Sequence, residues 1–360
     1  MTRPDTGNAR LTGVGTAVPD TSYGQRELLD LLAVTDPRVR SVFLNSAIER
    51  RGLTLPGPAP DGSPVVESQG ELLRKHTEQG LVLGRRAIEN CLADAGARLS
   101  DVRYLCCVTS TGFLTPGFSA LLIKELGIDV SCSRLDVVGM GCNAGLNALN
   151  AVAGWARSHR GELALLVCVE VCSAAYVLDG TMRSSVVNSL FGDGAAAVAV
   201  TAPGDGREDA GGALAPALLR FSSRIIPDAV DAMRYDWDDG HGKFSFWLDP
   251  QVPYLVGAHA PGALERLLRG TGLLASDIDH WVVHSGGKKV VDSVRVNLGL
   301  TRHDVRHTTG VLRDHGNLSS GSFLFSYRRL ASEGRVRPGD LGVLMTMGPG
   351  STIEMALAQW

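Results

Sequence analysis

The chain repeats itself. Leu99-Ser100-Asp101-Val102-Arg103-Tyr104-Leu105-Cys106-Cys107 has the same pattern as Ala275-Ser276-Asp277-Ile278-Asp279-His280-Trp281-Val282-Val283, 176 residues later. Gly161-Glu162-Leu163 and Gly339-Asp340-Leu341 open matching apolar runs 178 residues apart, and Gly141-Cys142 and Gly316-Asn317 each precede a helical pattern at a spacing of 175. Three offsets this close mark a duplicated unit. Each copy reads strand, turn, helix, strand. The apolar runs over 104–108, 163–169, 281–283 and 341–345 are predicted as strands buried on both faces. They alternate with helical segments over 143–158 and 320–332, so the expected class is α/β, with two mixed sheets sharing buried helices in one body. The Gly- and acid-rich stretch 202–212 is the predicted hinge, dividing an N-terminal half over 1–205 from a C-terminal half over 206–360. Residues 56–64, rich in proline, form a predicted surface loop.

Composition then removes several classes of function. A formal net charge of −3, without a Lys/Arg-rich run, gives no case for a nucleic-acid partner, because neutralising phosphates needs a basic face. The first ten residues lack the apolar stretch of a signal peptide, and no apolar run is long enough to span a bilayer, so the expected location is the cytoplasm with no membrane partner. Seven cysteines in 360 residues make no disulfide framework. There is no paired C-x-x-C and no nearby histidine cluster, so no metal site is expected.

Three glycine-flanked loops carry the chemistry. Cys142 lies in Val-Gly-Met-Gly-Cys-Asn-Ala-Gly, where a strand passes through glycines into a helix. Unpaired N–H groups and the macrodipole at such a start favour a thiolate, and a neighbouring imidazole favours it further, so the thiol is expected below its ordinary range. His284 ends an apolar strand before Ser285-Gly286-Gly287, a turn that lets backbone approach a ligand. Asn317 follows Gly316 ahead of a helix, where plain N-capping competes with a catalytic role. The duplication places the Cys142 and Asn317 helix starts as mates facing one pocket. A thiol, an imidazole and a carboxamide can together hold an acyl group and stabilise an enolate. Gly139-x-Gly141-x-x-Ala144 also fits a dinucleotide fingerprint, with Glu162 or Glu170 as its acidic partner, but a cysteine inside the phosphate turn argues against it.

Gly141-Cys142-Asn143-Ala144-Gly145, Leu190-Phe191-Gly192-Asp193-Gly194-Ala195, His284-Ser285-Gly286-Gly287, Gly316-Asn317-Leu318-Ser319-Ser320 and Gly348-Pro349-Gly350-Ser351-Thr352-Ile353-Glu354 resemble, in order, the signature segments of type III polyketide synthases. The resemblance implies a thiolase fold, an internally duplicated αβαβα layering. It implies an acyltransferase in which Cys142 carries the chain while His284 and Asn317 hold the malonyl thioester carbonyl during decarboxylation. Phe191 and Phe246 match the family's gatekeeping phenylalanines, and Cys172, Ala175 and Ser319 its pocket wall. Trp237 falls where plant members carry a small pocket-lining glycine, and Thr115 where they carry a methionine that reaches across a dimer. Arg38, Arg40, Arg50, Arg51 and Lys288 are the candidates for the coenzyme A phosphates.

Runs over 40–51, 109–117 and 235–247 are similar to bacterial members from glycopeptide-antibiotic pathways. That likeness implies a reaction on four malonyl-CoA, one decarboxylated as starter. A linear eight-carbon chain closed from C8 to C3 gives 3,5-dihydroxyphenylacetyl-CoA, with no metal or redox cofactor. A homodimer and accessory aromatising enzymes are the implied partners beside malonyl-CoA and coenzyme A thioester intermediates. The rival readings are a ketoacyl synthase III-like condensing enzyme, which would carry Gln-Ala-Asn after its histidine, and a Cys-His-Asn thioester hydrolase of a different class.

Overall fold

The computed structural model describes residues 7–204 and 215–360. In the first half, β1 (Arg10–Ala17) leads to β2 (Ser22–Gly24), α1 (Gln25–Leu31), α2 (Pro37–Leu44) and β3 (Arg50–Gly52). There follow α3 (Gln69–Ala95), β4 (Val102–Thr109), α4 (Phe118–Leu126), β5 (Ser133–Val138), α5 (Ala144–Ser158), β6 (Leu163–Glu170), α6 (Met182–Leu190) and β7 (Gly194–Thr201). The second half comprises β8 (Ala217–Ile225), a hairpin of β9 (Met233–Asp238) and β10 (Lys243–Leu248), α7 (Val252–Leu268), β11 (His280–Val283), α8 (Lys288–Asn297), α9 (Arg306–His315), α10 (Ser322–Glu333), β12 (Leu341–Gly348) and β13 (Thr352–Gln359).

Local sequence explains the boundaries that matter. α3 begins where Ser68 Oγ accepts from the Glu71 N–H while the Glu71 carboxylate accepts from the Ser68 N–H, and it ends at Gly96 with φ +62°. β6 and β7, Leu-Ala-Leu-Leu-Val-Cys-Val-Glu and Gly-Ala-Ala-Ala-Val-Ala-Val-Thr, are buried almost throughout. Such strands can only run through a sheet covered on both sides.

The strands hydrogen-bond in the order β11-β12-β13-β8-β1-β7-β6-β4-β5. β4 pairs parallel with β5 and β6, and β11 parallel with β12, whereas the other neighbours are antiparallel. Two leaves, one from each half, therefore meet at β1 and β8, through a single paired position, Arg10 and Ala217. Where two sheets were expected, hydrogen bonding makes one nine-stranded sheet from two related leaves. α5 and α10 pack into one core with side chains of both leaves. α3 and α4 cover the outer face of the first leaf, and α7 and α8 that of the second, which completes five layers.

The repeat is visible residue by residue, with one change of register. The 3-10 turns Leu99–Asp101 and Ala275–Asp277 are mates at the expected spacing. The turn Gly141–Asn143 that carries Cys142, however, matches Ser319–Gly321 rather than Gly316-Asn317. The mate of Cys142 is thus Ser320. Gly316 instead ends α9, and Asn317 enters a bridge with Phe191. Residues 56–64 form the expected irregular surface segment, whereas the 205/206 boundary and the hinge from 205 to 212 lie outside the described residues.

Candidate active site

Cys142 sits in the turn immediately ahead of α5 and is 8% exposed, facing a cavity of about 340 Å³. The Gly-Pro-Gly loop after β12 presses on this turn. A Cβ on Gly348 would lie 2.7 Å from Asn143 N and 3.0 Å from Cys142 N, so only glycine admits the close approach. Cys142 Sγ lies 3.7 Å from Ser319 Oγ.

Asn317 is fixed by its backbone and by its amide oxygen. Its N–H donates to Leu190 O at 2.9 Å and its carbonyl accepts from Gly192 N at 2.9 Å, which ties it to the Phe191 segment. Its Oδ1 accepts from Ser319 N at 2.8 Å and Ser322 Oγ at 3.4 Å. With the oxygen spent inside its own turn, the NH2 is the end left to donate. It is not an N-cap.

His284 continues from β11, its N–H donating to Met345 O at 2.8 Å. Ser285 Oγ donates to Gly316 O at 3.2 Å and so links the histidine loop to the asparagine loop. The ring is buried, Nδ1 has no hydrogen-bond partner, and a Cβ on Gly286 would stand 3.3 Å from Nε2. Glycine keeps that nitrogen uncovered. Burial alone pushes the imidazole down to about 3, so it stands neutral at pH 7.

Burial also pushes the Cys142 thiol up to about 12. The Ser319 hydroxyl and the Asn317 amide act against it, and the Glu170 carboxylate adds to it. The expected low-lying thiol is therefore not what this closed cavity produces, because desolvation of the sulfur outweighs the donors around it.

The expected pocket wall divides sharply. Cys172, Ala175, Phe191, Phe246 and Ser319 all line the cavity, and the Phe191 and Phe246 rings meet edge to face with centroids 5.9 Å apart. Trp237 does not. It is 51% exposed and packs on Phe244 across the hairpin, because it lies one strand repeat nearer the turn than the cavity extends. Met233 and Tyr235, on the same face of β9, hold the wall instead. Thr115 is exposed beside Pro116, away from the cavity.

None of the five proposed phosphate ligands lines the cavity. Arg38 pairs with Asp36, Arg40 donates to Val34 O, Arg50 donates to Ser22 and Lys288 pairs with Asp292, all on the outside. Arg51 is different, with no exposed surface at all. Its guanidinium donates to Tyr176 Oη at 2.9 Å, Asn188 O at 2.8 Å, Phe191 O at 2.6 Å and Gln25 Oε1 at 2.8 Å. Its Nε has no hydrogen-bond partner, but the whole group is enclosed and both terminal NH2 groups donate inside the protein, so it does not reach out to coenzyme A. It holds the Phe191 backbone instead.

Several wall residues escaped the sequence reading, among them Val187, Met233, Tyr235, Ser110 and Thr111. Glu170, weighed there only as a dinucleotide partner, is a buried carboxylate behind the cavity that accepts from Ser110 N at 2.9 Å and from Ser320 Oγ at 2.5 Å. Burial raises it, against those hydrogen bonds. All seven cysteines are free. Among the described residues no group of three or more His, Cys, Asp or Glu could hold a metal ion, and no helix is long and apolar enough to cross a membrane.

Comparison with known proteins gives one answer across the chain. Residues 56–204 match the family model for the N-terminal domain of chalcone and stilbene synthases, and residues 222–359 the model for their C-terminal domain. The chain is 69% identical to the 3,5-dihydroxyphenylacetyl-CoA synthase of Amycolatopsis balhimycina over 98% of its own length and 93% of that protein. It is 67% identical to the protein of the same name from Streptomyces toyocaensis, over 98% and 90%. The crystal structure of 1,3,6,8-tetrahydroxynaphthalene synthase from Streptomyces coelicolor A3(2), described as a bacterial type III polyketide synthase, superposes with a TM-score of 0.87 at 30% identity, covering 98% of this chain and 99% of that one.

Proposed function

The chain belongs to the chalcone and stilbene synthase family of type III polyketide synthases, acyltransferases that work by decarboxylative Claisen condensation, and we propose that it builds 3,5-dihydroxyphenylacetyl-CoA from four malonyl-CoA. The observation that carries the product is the 67–69% identity to three synthases of that compound over 98% of the chain. Small, mainly apolar walls around Cys142 support a short chain that grows away from water.

In this reading Cys142 Sγ attacks the acyl-CoA carbonyl while the neutral His284 imidazole accepts the thiol proton; the carbon–sulfur bond to coenzyme A breaks and the departing thiolate takes that proton, leaving Cys142 acylated and His284 neutral. A malonyl thioester then places its carbonyl oxygen between a His284 N–H and the Asn317 NH2. Carbon dioxide leaves, and the electron pair of the broken C–C bond becomes an enolate. Fixed donors aimed at that oxygen contribute on the order of 2.7–4 kcal/mol each to such a step. The enolate carbon attacks the Cys142 thioester, its carbon–sulfur bond breaks and the Cys142 thiolate leaves; the chain, two carbons longer and now on the incoming coenzyme A, is loaded back onto Cys142 for the next round. Three extensions give a chain with carbonyls at C1, C3, C5 and C7. Closure of C8 onto C3 and loss of the C3 oxygen as water leave the C1 thioester intact, so no redox cofactor or metal enters the balance. Coenzyme A thioesters are the partners this requires. A homodimer working in the cytoplasm alongside accessory aromatising enzymes completes the proposal.

Incubating the purified protein with isotopically labelled malonyl-CoA alone, followed by mass analysis of the thioesters, tests the reading. Four labelled units in 3,5-dihydroxyphenylacetyl-CoA are expected. A requirement for any other starter thioester would refute it.

A further inference from the structure

The two mated turns differ in what their backbones cost. Gly141 opens the turn that carries Cys142 with φ +71°, and Ser319, at the same place in the second copy, opens its turn with φ +47°. That left-handed conformation suits glycine and strains a residue with a side chain. Among the described residues four that are not glycine hold a positive φ, and of these only Ser319 lines the cavity. At Gly141 a Cβ would meet Pro349 Cδ at 2.3 Å, so the first copy admits nothing but glycine. The second copy has room for a side chain and carries one under strain. What that side chain reaches is the nucleophile. Ser319 is 4% exposed, its N–H is fixed by Asn317 Oδ1 at 2.8 Å, and its Oγ accepts from the Cys142 thiol at 3.7 Å. No acceptor takes the Ser319 O–H among the described residues, so the hydroxyl is free to turn its own proton to the sulfur once the thiol proton has gone. The neutral imidazole of His284 brings no positive charge to offset that anion.

We propose that Ser319 is a catalytic residue of acyl transfer, whose hydroxyl donates a hydrogen bond to the Cys142 thiolate as that sulfur attacks and again as it leaves. The inference rests on Cys142 as the acyl carrier in the function proposed above. In loading, the sulfur electron pair forms the bond to the acyl carbon while the bond to coenzyme A breaks. In condensation that carbon–sulfur bond breaks and its electron pair returns to the Cys142 sulfur. The serine proton stays on its oxygen in both steps, so nothing is consumed and Ser319 ends unchanged. A hydrogen bond to an ionised sulfur is stronger than one to a thiol, so the hydroxyl favours the charged state over the resting one. The strained backbone is what keeps the hydroxyl at that sulfur.

Ser319→Ala removes the hydroxyl and keeps the strain, whereas Ser319→Gly removes both. Iodoacetamide labelling of Cys142 from neutral to alkaline pH, followed by peptide mapping, reads the thiolate. Both variants should label at least about tenfold more slowly than the parent protein, the scale of a lost hydrogen bond to a charged group. Samples quenched after mixing with malonyl-CoA should show acylated Cys142 appearing more slowly by a similar factor. In urea the glycine variant should unfold later than the alanine variant, because it alone is relieved of the strain. Labelling of either variant at the parent rate would overturn the assignment, and a glycine variant no more stable than the alanine one would remove the strain on which it stands. A parent protein that gains no acyl group on Cys142 fails the proposed function itself and Ser319 with it; Cys142 acylated equally fast in parent and variants fails Ser319 alone.

Discussion

Replacing Arg51 with methionine separates two readings of the same residue. As a coenzyme A ligand it would matter for substrate affinity and little for stability. In the fold it is a fully buried guanidinium with four acceptors at 2.6–2.9 Å. Methionine fills much of the volume but donates nothing. Phe191 O keeps the Tyr176 hydroxyl, which also donates to it at 2.6 Å. Asn188 O and Gln25 Oε1 lose the guanidinium donor, at about 1–3 kcal/mol for each buried acceptor left unsatisfied. Asp193, whose charge faces the arginine, keeps hydrogen bonds from Ser173 and Thr54 but loses its cation. The total, about 2–6 kcal/mol, brackets the 3–5 kcal/mol typical of breaking one side of a buried pair. Urea unfolding followed by intrinsic fluorescence measures it as a lowered midpoint at constant slope. Arg51→Lys should recover less than half, since a point ammonium cannot serve acceptors spread around a planar fork. A stable Arg51→Met variant with a tenfold higher KM for malonyl-CoA would refute the reasoning and return Arg51 to the phosphates.

Cys142→Ala should abolish chain extension yet leave slow release of carbon dioxide from malonyl-CoA, whereas His284→Ala should lose both; product and carbon dioxide assays on the two variants check this. Trp237→Ala should leave the product profile unchanged with acetyl-, hexanoyl- and aryl-CoA starters, because the indole stands outside the cavity; a shift to longer products by mass analysis would put it back in the wall. Acid should destabilise the fold through its buried neutral histidines. Burial holds His76 and His307 at about 4 and His284 at about 3, while the unfolded chain binds their protons below about 6.5. The stability these groups leave intact above pH 6.5 is lost as pH falls toward 4, by up to about 1.4 kcal/mol per pH unit for each histidine. Unfolding midpoints at pH 7 and pH 5 measure the slope, and a flat profile would contradict it.

The repeat was readable because buried strands tolerate few residue types, so two copies keep the same apolar runs around Asp101 and Asp277. Cys142, His284 and Asn317 stood out because glycines mark places where backbone must come close, and the packing of Gly348 and Gly286 accounts for that. What stayed hidden depends on where a cavity stops and which way a side chain turns. Tyr235 and Trp237 share one face of β9, and nothing local says that the cavity ends between them. Arg50 and Arg51 read as one basic pair, but neighbours on a strand point to opposite sides, so one reaches Ser22 at the surface and the other is enclosed. Asn317 was paired with Cys142 because both follow a glycine; the turn geometry, with Ser320 as the mate, is not written in that dipeptide.

That mate has a consequence for how the molecule can operate. A doubled fold offers two equivalent positions for a nucleophile, and the second position holds Ser320, whose hydroxyl is committed to Glu170. Half of the symmetry has been retired from chemistry and turned into support for the other half. With Ser320 engaged, the second position offers no anchoring point to which an intermediate on Cys142 could be handed. Growth has to be iterative, with the same sulfur emptied and refilled for every added unit. The length of the product is then counted by repeated use of one room, with its walls as the ruler.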